Sequence, residues 1–397
     1  MTNSQLLTAD ELCAVQPEGQ QQAGYFHTLR EILQQPATWL DTCDRLISHQ
    51  PTLARRLDGI QSMVLSGSGS SQFAGECVRA VIQKELGIGV EAIDGGTLLT
   101  HGVEAISPGR PALMVSIARS GDSPESVGAL SLLLDSDPGV RHLAITCNAQ
   151  GELAQKRDDD RVSAVVLDSR TNDCSLVMTS SFTNLVLATR FLGLVSEPER
   201  YRSICRNLSE IGRDLLARHF GTLARVARSG FNRVVFLGSG PNLAAARESS
   251  LKMLEMTAGR VATMSQIYLG LRHGPMSFIN DRTLVVCFLS TTPHLREYEF
   301  DLVRELNRKR LGAMKLIAGE HIPADLPAEG DQPIELAGLD RIGDDNAPVL
   351  HVVAGQLLAF FRCLAEGLKP DSPSETGVIN RVVEEFPIHR RGTESTR

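Results

Sequence analysis

The segment Gln61–Gly75, QSMVLSGSGSSQFAG, has an echo in Asn232–Ala246, NRVVFLGSGPNLAAA. Each is a short β-branched run, a Gly-Ser-Gly turn and a helical pattern, and Gly69 and Gly240 stand 171 residues apart. Two further runs recur: PALMVSIARS near 111–120 with TLVVCFLSTT near 283–292, and RHLAITCN (Arg141–Asn148) with AMKLIAGE (Ala313–Glu320). Strands that alternate with helix-length segments build parallel βαβ units with right-handed crossovers. The repeat therefore predicts an α/β protein with two domains of like topology, each a doubly wound parallel sheet flanked by helices. We place an N-terminal helical extension over 1–45, the first domain over 46–205, the second over 206–370 and a tail over 371–397. A long linking helix is predicted from Ser196 to Phe220, with Ser196 and Glu199 at capping-box spacing.

Bulk properties narrow the function. A chain of 397 residues with 42% hydrophobic and 22% charged residues has the mix of a globular enzyme. A formal charge of −7, with basic residues scattered, carries no footprint for nucleic acid. The eight cysteines form no CxxC pair and the ten histidines no HxH or HExxH, so no metal is expected. Met1 to Gly24 is polar and does not read as a signal peptide, and no apolar run reaches the ~20 residues needed to span a bilayer. A cytoplasmic chain with no membrane partner is expected.

Both Gly-Ser-Gly loops follow a strand, yet a dinucleotide fingerprint needs a third glycine or alanine three residues on, where Gln72 and Leu243 stand instead. No nucleotide cofactor is expected, and Asp94 in the DGG of 94–96 reads as a turn residue. Such loops still suit a phosphate, because a helix N-terminus offers free N–H groups and positive dipole charge. The stretch SIARSGDSPES (Ser116–Ser126) is a second such place, with Ser123 also readable as a plain N-cap before Pro124. Hydroxyl clusters at Ser70–Ser71, Ser120–Ser123 and Thr179–Ser181 fall in the same half of the chain, which suggests one phosphosugar pocket. In the second half, Glu248, Lys252 and Glu255 fall on one helix face, either as a solvated charged row or as a pocket wall. His273, before Gly-Pro, reads on its own as a turn or core histidine.

The stretches SGSGSSQFAG, SIARSGDSPES, ARESSLKMLEMTAG, LRHGP and GVINRVV, in this order and spacing, resemble the tandem sugar-isomerase (SIS) domain proteins over nearly the whole chain. The branch they resemble is the tagatose-6-phosphate ketose/aldose isomerase family, also described as galactosamine-6-phosphate deaminase. That family is related to the isomerase half of glucosamine-6-phosphate synthase. The resemblance implies a phosphate loop at Arg119, Ser120, Gly121 and Ser123, a sugar-contacting turn at Gly69, Ser70 and Ser71, and a third hydroxyl loop at Thr179 and Ser180. It implies that Glu255 is the base and that His273 opens the sugar ring from the neighbouring subunit of a homodimer with a shared active site. Asn380 stands where the synthase has a lysine that reaches the sugar, and is counted among the substrate-binding residues. No glutaminase-sized segment precedes residue 45, so loss of ammonia is expected rather than its transfer from glutamine.

The resulting expectation is an enzyme that isomerises and deaminates a phosphorylated amino sugar, galactosamine 6-phosphate, to tagatose 6-phosphate and ammonia. The alternatives are an aldose/ketose isomerase without deamination and a sugar-phosphate-binding regulator. No DNA-binding helix-turn-helix is visible to support the last.

Overall fold

The computed structural model describes residues 9–106, 112–137, 139–156 and 160–389. Residues 1–8 of the extension, Pro111 in the second predicted strand and residues 390–397 of the tail lie outside this range. The first sheet holds β1 (Ser62–Gly67), β2 (Gly89–Asp94), β3 (Ala112–Ala118), β4 (Arg141–Thr146) and β5 (Val162–Val166). The second holds β6 (Arg233–Leu237), β7 (Ala262–Gln266), β8 (Thr283–Phe288), β9 (Met314–Gly319) and β10 (Gln332–Glu335). Their orders, β2-β1-β3-β4-β5 and β7-β6-β8-β9-β10, are the same arrangement, and all pairings are parallel. The central strands β1, β3 and β8 are buried along their whole length, which is why they read as continuous apolar runs rather than alternating ones.

The two Gly-Ser-Gly turns are the same device twice. At the first glycine the helix backs onto the strand: a Cβ on Gly67 would lie 2.6 Å from the Ser71 Cβ, and one on Gly238 would lie 2.2 Å from the Asn242 carbonyl oxygen. The second glycine turns the chain at positive φ, +56° at Gly69 and +54° at Gly240. Each then starts a helix, Ser70–Leu86 and Pro241–Met256, and these two helices pack against each other between the sheets.

The linking helix runs from Pro198 to Ala227, longer than the sequence predicts, and the capping box at Ser196 and Glu199 does not form. Glu197 is the N-cap residue and makes no side-chain cap bond, because Pro198 takes the first helical position and starts the helix two residues after Ser196. Asp94 is a turn residue: its Oδ1 accepts from the N–H groups of Gly96 (2.9 Å) and Thr97 (3.3 Å), capping the helix Gly95–His101. The helix Pro348–Ala365 is long and apolar enough to cross a membrane, but 89% of it is buried, packed against the helices Pro198–Ala227 and Pro241–Met256 as a core element.

Candidate active site

Ligands of open parallel sheets bind outside the carboxyl ends of the strands, and a cleft of about 680 Å³ opens there in the first domain. Ser68, Gly69, Ser70 and Ser71 line it after β1, and Arg119, Ser120 and Ser123 after β3. The helix Pro241–Met256 crosses from the second domain and contributes Leu251, Lys252 and Glu255. The tail contributes Gly377 to Glu384, including Asn380.

The loop after β3 is built by local rules. Pro124 opens the helix Pro124–Ser136, and Gly121, at φ +75°, lets the chain fold back between Ser120 and Ser123. Ser123 is the N-cap residue, but its hydroxyl makes no cap bond and instead lies 2.9 Å from the Ser126 Oγ. The Ser120 Oγ accepts from the Asp122 N–H at 3.3 Å. Arg119 is buried, which lowers its pKa, with Asp173 opposing the shift. Its guanidinium donates to the carbonyls of Ser175 (3.3 Å), Leu176 (3.0 Å) and Arg381, so it ties the end of β3 to the 175–176 loop and to the tail. Arg381 in turn donates to the Asp173 carbonyl (2.7 Å) and the Asn172 Oδ1 (2.6 Å).

At the opposite side stands the charged row. Lys252 and Glu248 are fully buried, whereas Glu255 keeps 23% of its side chain exposed towards the cleft. The Lys252 ammonium is ion-paired with the Glu255 carboxylate and lies 3.5 Å from the Glu248 Oε1. Burial pushes the Glu248 carboxyl up to about 7, against the pull of Lys252. Burial works to lower the pKa of Lys252, but its two carboxylate neighbours prevail and raise it. A cation held between an interior carboxylate and a cleft-facing one can stabilise negative charge developing on a bound ligand while Glu255 exchanges protons with it.

The remaining expected residues lie differently. Thr179 and Ser180 are wholly buried, off the cleft, and the residues of that loop on the cleft are Leu176 and Met178. There, Asp173 accepts from the N–H groups of Thr179 (2.7 Å) and Ser181 (2.9 Å), holding the start of the helix Ser180–Arg190. His273 is exposed after the short helix Tyr268–Leu271 and does not line the cleft of its own chain. The Asn380 side chain donates to the Glu384 Oε1 at 3.0 Å. Sequence reasoning missed Ser68, Glu125, Ser126 and Arg381 on the cleft, and left Lys252 out of the site although it had placed it on the Glu255 face. The available signal was a lysine one turn from Glu255 among the apolar residues Leu251, Met253 and Leu254.

Among the described residues, two groups have metal-ligand atoms close together, His27 with Glu31 and Cys174, and Glu320 with His321 and Asp340. Neither is at the cleft. The Glu31 carboxylate accepts from the N–H groups of Cys174 and Ser175, and Glu320 from those of Gly338 and Asp340, each 2.7 Å away.

No protein-family model matches the chain. D-galactosamine-6-phosphate deaminase AgaS of Escherichia coli is 33% identical over 374 residues, 91% of this chain and 95% of that one. The protein of that name from Shewanella sp. (strain ANA-3) is 32% identical over 393 residues, 97% and 95% of the two chains. The crystal structure of tagatose-6-phosphate ketose/aldose isomerase from Escherichia coli superposes with a TM-score of 0.83 at 30% identity, covering 91% of this chain and 96% of that one. The C-terminal domain of glucosamine-fructose-6-phosphate aminotransferase from Francisella tularensis shares the fold, with a TM-score of 0.75 at 17% identity, over 87% of this chain and 98% of that one. Identity at this level along almost the entire length of both chains, together with the paired sheets, shows that the protein belongs to the galactosamine-6-phosphate deaminase (tagatose-6-phosphate ketose/aldose isomerase) family of tandem SIS-domain enzymes.

Proposed function

We propose that the protein converts galactosamine 6-phosphate and water to tagatose 6-phosphate and ammonia. The observation that carries this reading is the Lys252–Glu255 pair set across one cleft from the hydroxyl loop Ser120–Ser123. The phosphate sits on the Ser120 and Ser123 hydroxyls at the N-terminus of the helix Pro124–Ser136, where backbone N–H groups and the helix dipole favour an anion. Ser70 and Ser71 contact the sugar chain.

The opened sugar is a 2-amino aldehyde, and Glu255 takes its C2 proton. The electrons left behind form an enolamine, with negative charge on the C1 oxygen offset by the Lys252 ammonium. Returning the proton to C1, while one N–H proton passes to the C1 oxygen, gives a 1-hydroxy ketimine at C2. Water adds to that carbon and the nitrogen leaves as ammonia, so atoms balance without a redox step. Ring opening falls to His273, since an imidazole can give or take a proton near neutral pH. Because His273 is off its own chain's cleft, it acts in a homodimer from a second copy. The exposed apolar side chains Leu254, Ile267 and Leu269 on the same domain supply surface for such a contact.

The test is to mix purified protein with galactosamine 6-phosphate, without glutamine, and follow ammonia and ketose together. Equal amounts of both are expected. Interconversion of tagatose 6-phosphate with an aldose phosphate and no ammonia would replace this reading with the plain isomerase that the name of the solved Escherichia coli relative describes. Tight binding without turnover would replace it with a sensor. The shared site is tested by mixing inactive Glu255→Gln and His273→Asn chains: hybrids should regain part of the activity, and hybrids that form but stay inactive count against it.

A further inference from the structure

Two residues that line the cleft each carry a covered polar atom with no hydrogen-bond partner among the described residues: the Oγ of Ser68 and the Oε2 of Glu125. They meet around one glycine. A Cβ built on Gly95 would lie 2.8 Å from the Ser68 Oγ, 3.6 Å from the Glu125 Cγ and 3.7 Å from the Ser126 Oγ. The Ser126 hydroxyl is already paired with Ser123. A carboxylate in the first turn of a helix is ordinary, because the helix dipole favours it. That does not account for an oxygen that is covered and receives no donor, which costs desolvation. Asp94 next door is the contrast, since its carboxylate is used by the backbone of the helix it caps.

We propose that Ser68 and Glu125 form a hydroxyl-reading subsite that selects the configuration at C4 of the phosphorylated sugar, an inference that rests on reading this cleft as a sugar-phosphate site. A carboxylate can only accept and a serine hydroxyl can do both, so the pair matches a sugar hydroxyl that donates to Glu125 and exchanges a bond with Ser68. Glu125 follows Ser123 by two residues, which places it on the phosphate side of the cleft rather than beside Glu255. The sugar hydroxyls nearest the phosphate are those of C5 and C4. The C5 centre is the same in the galacto and gluco series, and only C4 inverts. A site built to bond one hydroxyl rejects the epimer that points it elsewhere, because its own polar groups are then left covered and unpaired.

The probes are galactitol 6-phosphate and glucitol 6-phosphate, which differ at C4 and have no aldehyde to react. Calorimetry on the full chain should give about a 10-fold or larger preference for the galactitol ester, the size of one hydrogen bond to a charged group. Glu125→Gln, Glu125→Ala and Ser68→Ala should each bring the two affinities to within about 2-fold, with binding of inorganic phosphate unchanged. Variants are compared at matched melting temperature, and agreement between the two loci guards against a folding defect in one. Equal binding of both esters by the unmodified protein would overturn the proposal. So would a preference that survives in all three variants, or a parallel loss of inorganic phosphate binding. Ammonia release is scored separately: an epimer preference that depends on these residues, without ammonia release, sinks the deaminase reading and supports the subsite.

Discussion

At the carboxyl end of β3 the chain runs through Arg119–Ser123 into the helix at Pro124, and the Ser120 and Ser123 side chains line the cleft. At the matching end of β8 it runs through Ser290–Thr292 into the helix at Pro293, and there the hydroxyls are consumed internally. Asp344 accepts from the Ser290 and Thr292 hydroxyls and from both the N–H (2.6 Å) and the hydroxyl (3.1 Å) of Thr291, while Glu299 accepts from the Ser290 N–H at 2.8 Å. A protein carboxylate thus sits where the first domain presents its hydroxyls to the cleft. The two Gly-Ser-Gly helices differ in the opposite sense. The second carries Glu248, Lys252 and Glu255, and the positions 171 residues earlier in the first are Cys77, Val81 and Lys84. One domain presents an open hydroxyl loop and the other carries the charged row, and packing of the two helices against each other assembles one cleft from both.

The comparison is broken or sharpened most strongly at the charged row. Glu255→Gln should lower turnover by about 10²–10⁴-fold with little change in KM, whereas Lys84→Gln, at the equivalent place in the other copy, should leave steady-state kinetics unaltered. Equal effects would remove the division of labour. Next in size is the sealed loop. Asp344→Ala strips the acceptor from four groups on three residues at once and should lower unfolding free energy by about 2–4 kcal/mol in denaturant melts, with the affinity for phosphorylated sugars preserved. Ser120→Ala in the open loop should do the reverse, weakening phosphorylated ligands by about 1–3 kcal/mol while the melting midpoint stays put. If non-phosphorylated sugars lose as much, the loop is only a helix cap.

The smallest effect is in pH. Burial raises the Glu299 carboxyl from 4.5 to about 7. A carboxyl with a raised folded pKa binds its proton more tightly in the folded chain, so its contribution is complete below pH 4.5 and is lost as pH rises through 7. Glu299→Gln, which keeps an acceptor for Ser290 and cannot ionise, should therefore gain about 1–2 kcal/mol over the parent between pH 5 and pH 8. A gap in melting temperature that is flat across this range would mean that Glu299 is charged and satisfied throughout.

Three strands of each sheet, their repetition in two like domains and the hydroxyl-rich turns that follow them were legible because their signals are local. Apolar runs, Gly-Ser-Gly turns and Pro124 act within a few residues of where they stand. Glu255 was legible as one of a row with Lys252, but the bonds that tie Arg119 into the site were not: they reach Leu176 and Arg381, and no spacing along the chain announces them. Glu31 is a further case. Buried in the helix Phe26–Leu33 and raised to about 7 by burial and by Asp173, it accepts from the N–H groups of Cys174 and Ser175 across more than a hundred residues. Asp371 likewise fastens the tail to the extension through the Thr28 N–H (2.7 Å) and hydroxyl (2.8 Å).

By itself, the sequence determined two copies of one βαβ pattern, the helix starts that favour an anion and the charged face of the second helix, since all depend on neighbours within a turn or a strand. Only the tertiary structure decided which copy stays open. Asp344 reaches Ser290–Thr292 from more than fifty residues along the chain, and a hydroxyl cluster filled by the chain's own carboxylate looks, residue by residue, like one that faces a cleft. Tertiary packing also decided that His273 lies off its own chain's cleft while Ser68 and Glu125 lie on it, because exposure and unpaired atoms are properties of the surroundings that close around a side chain.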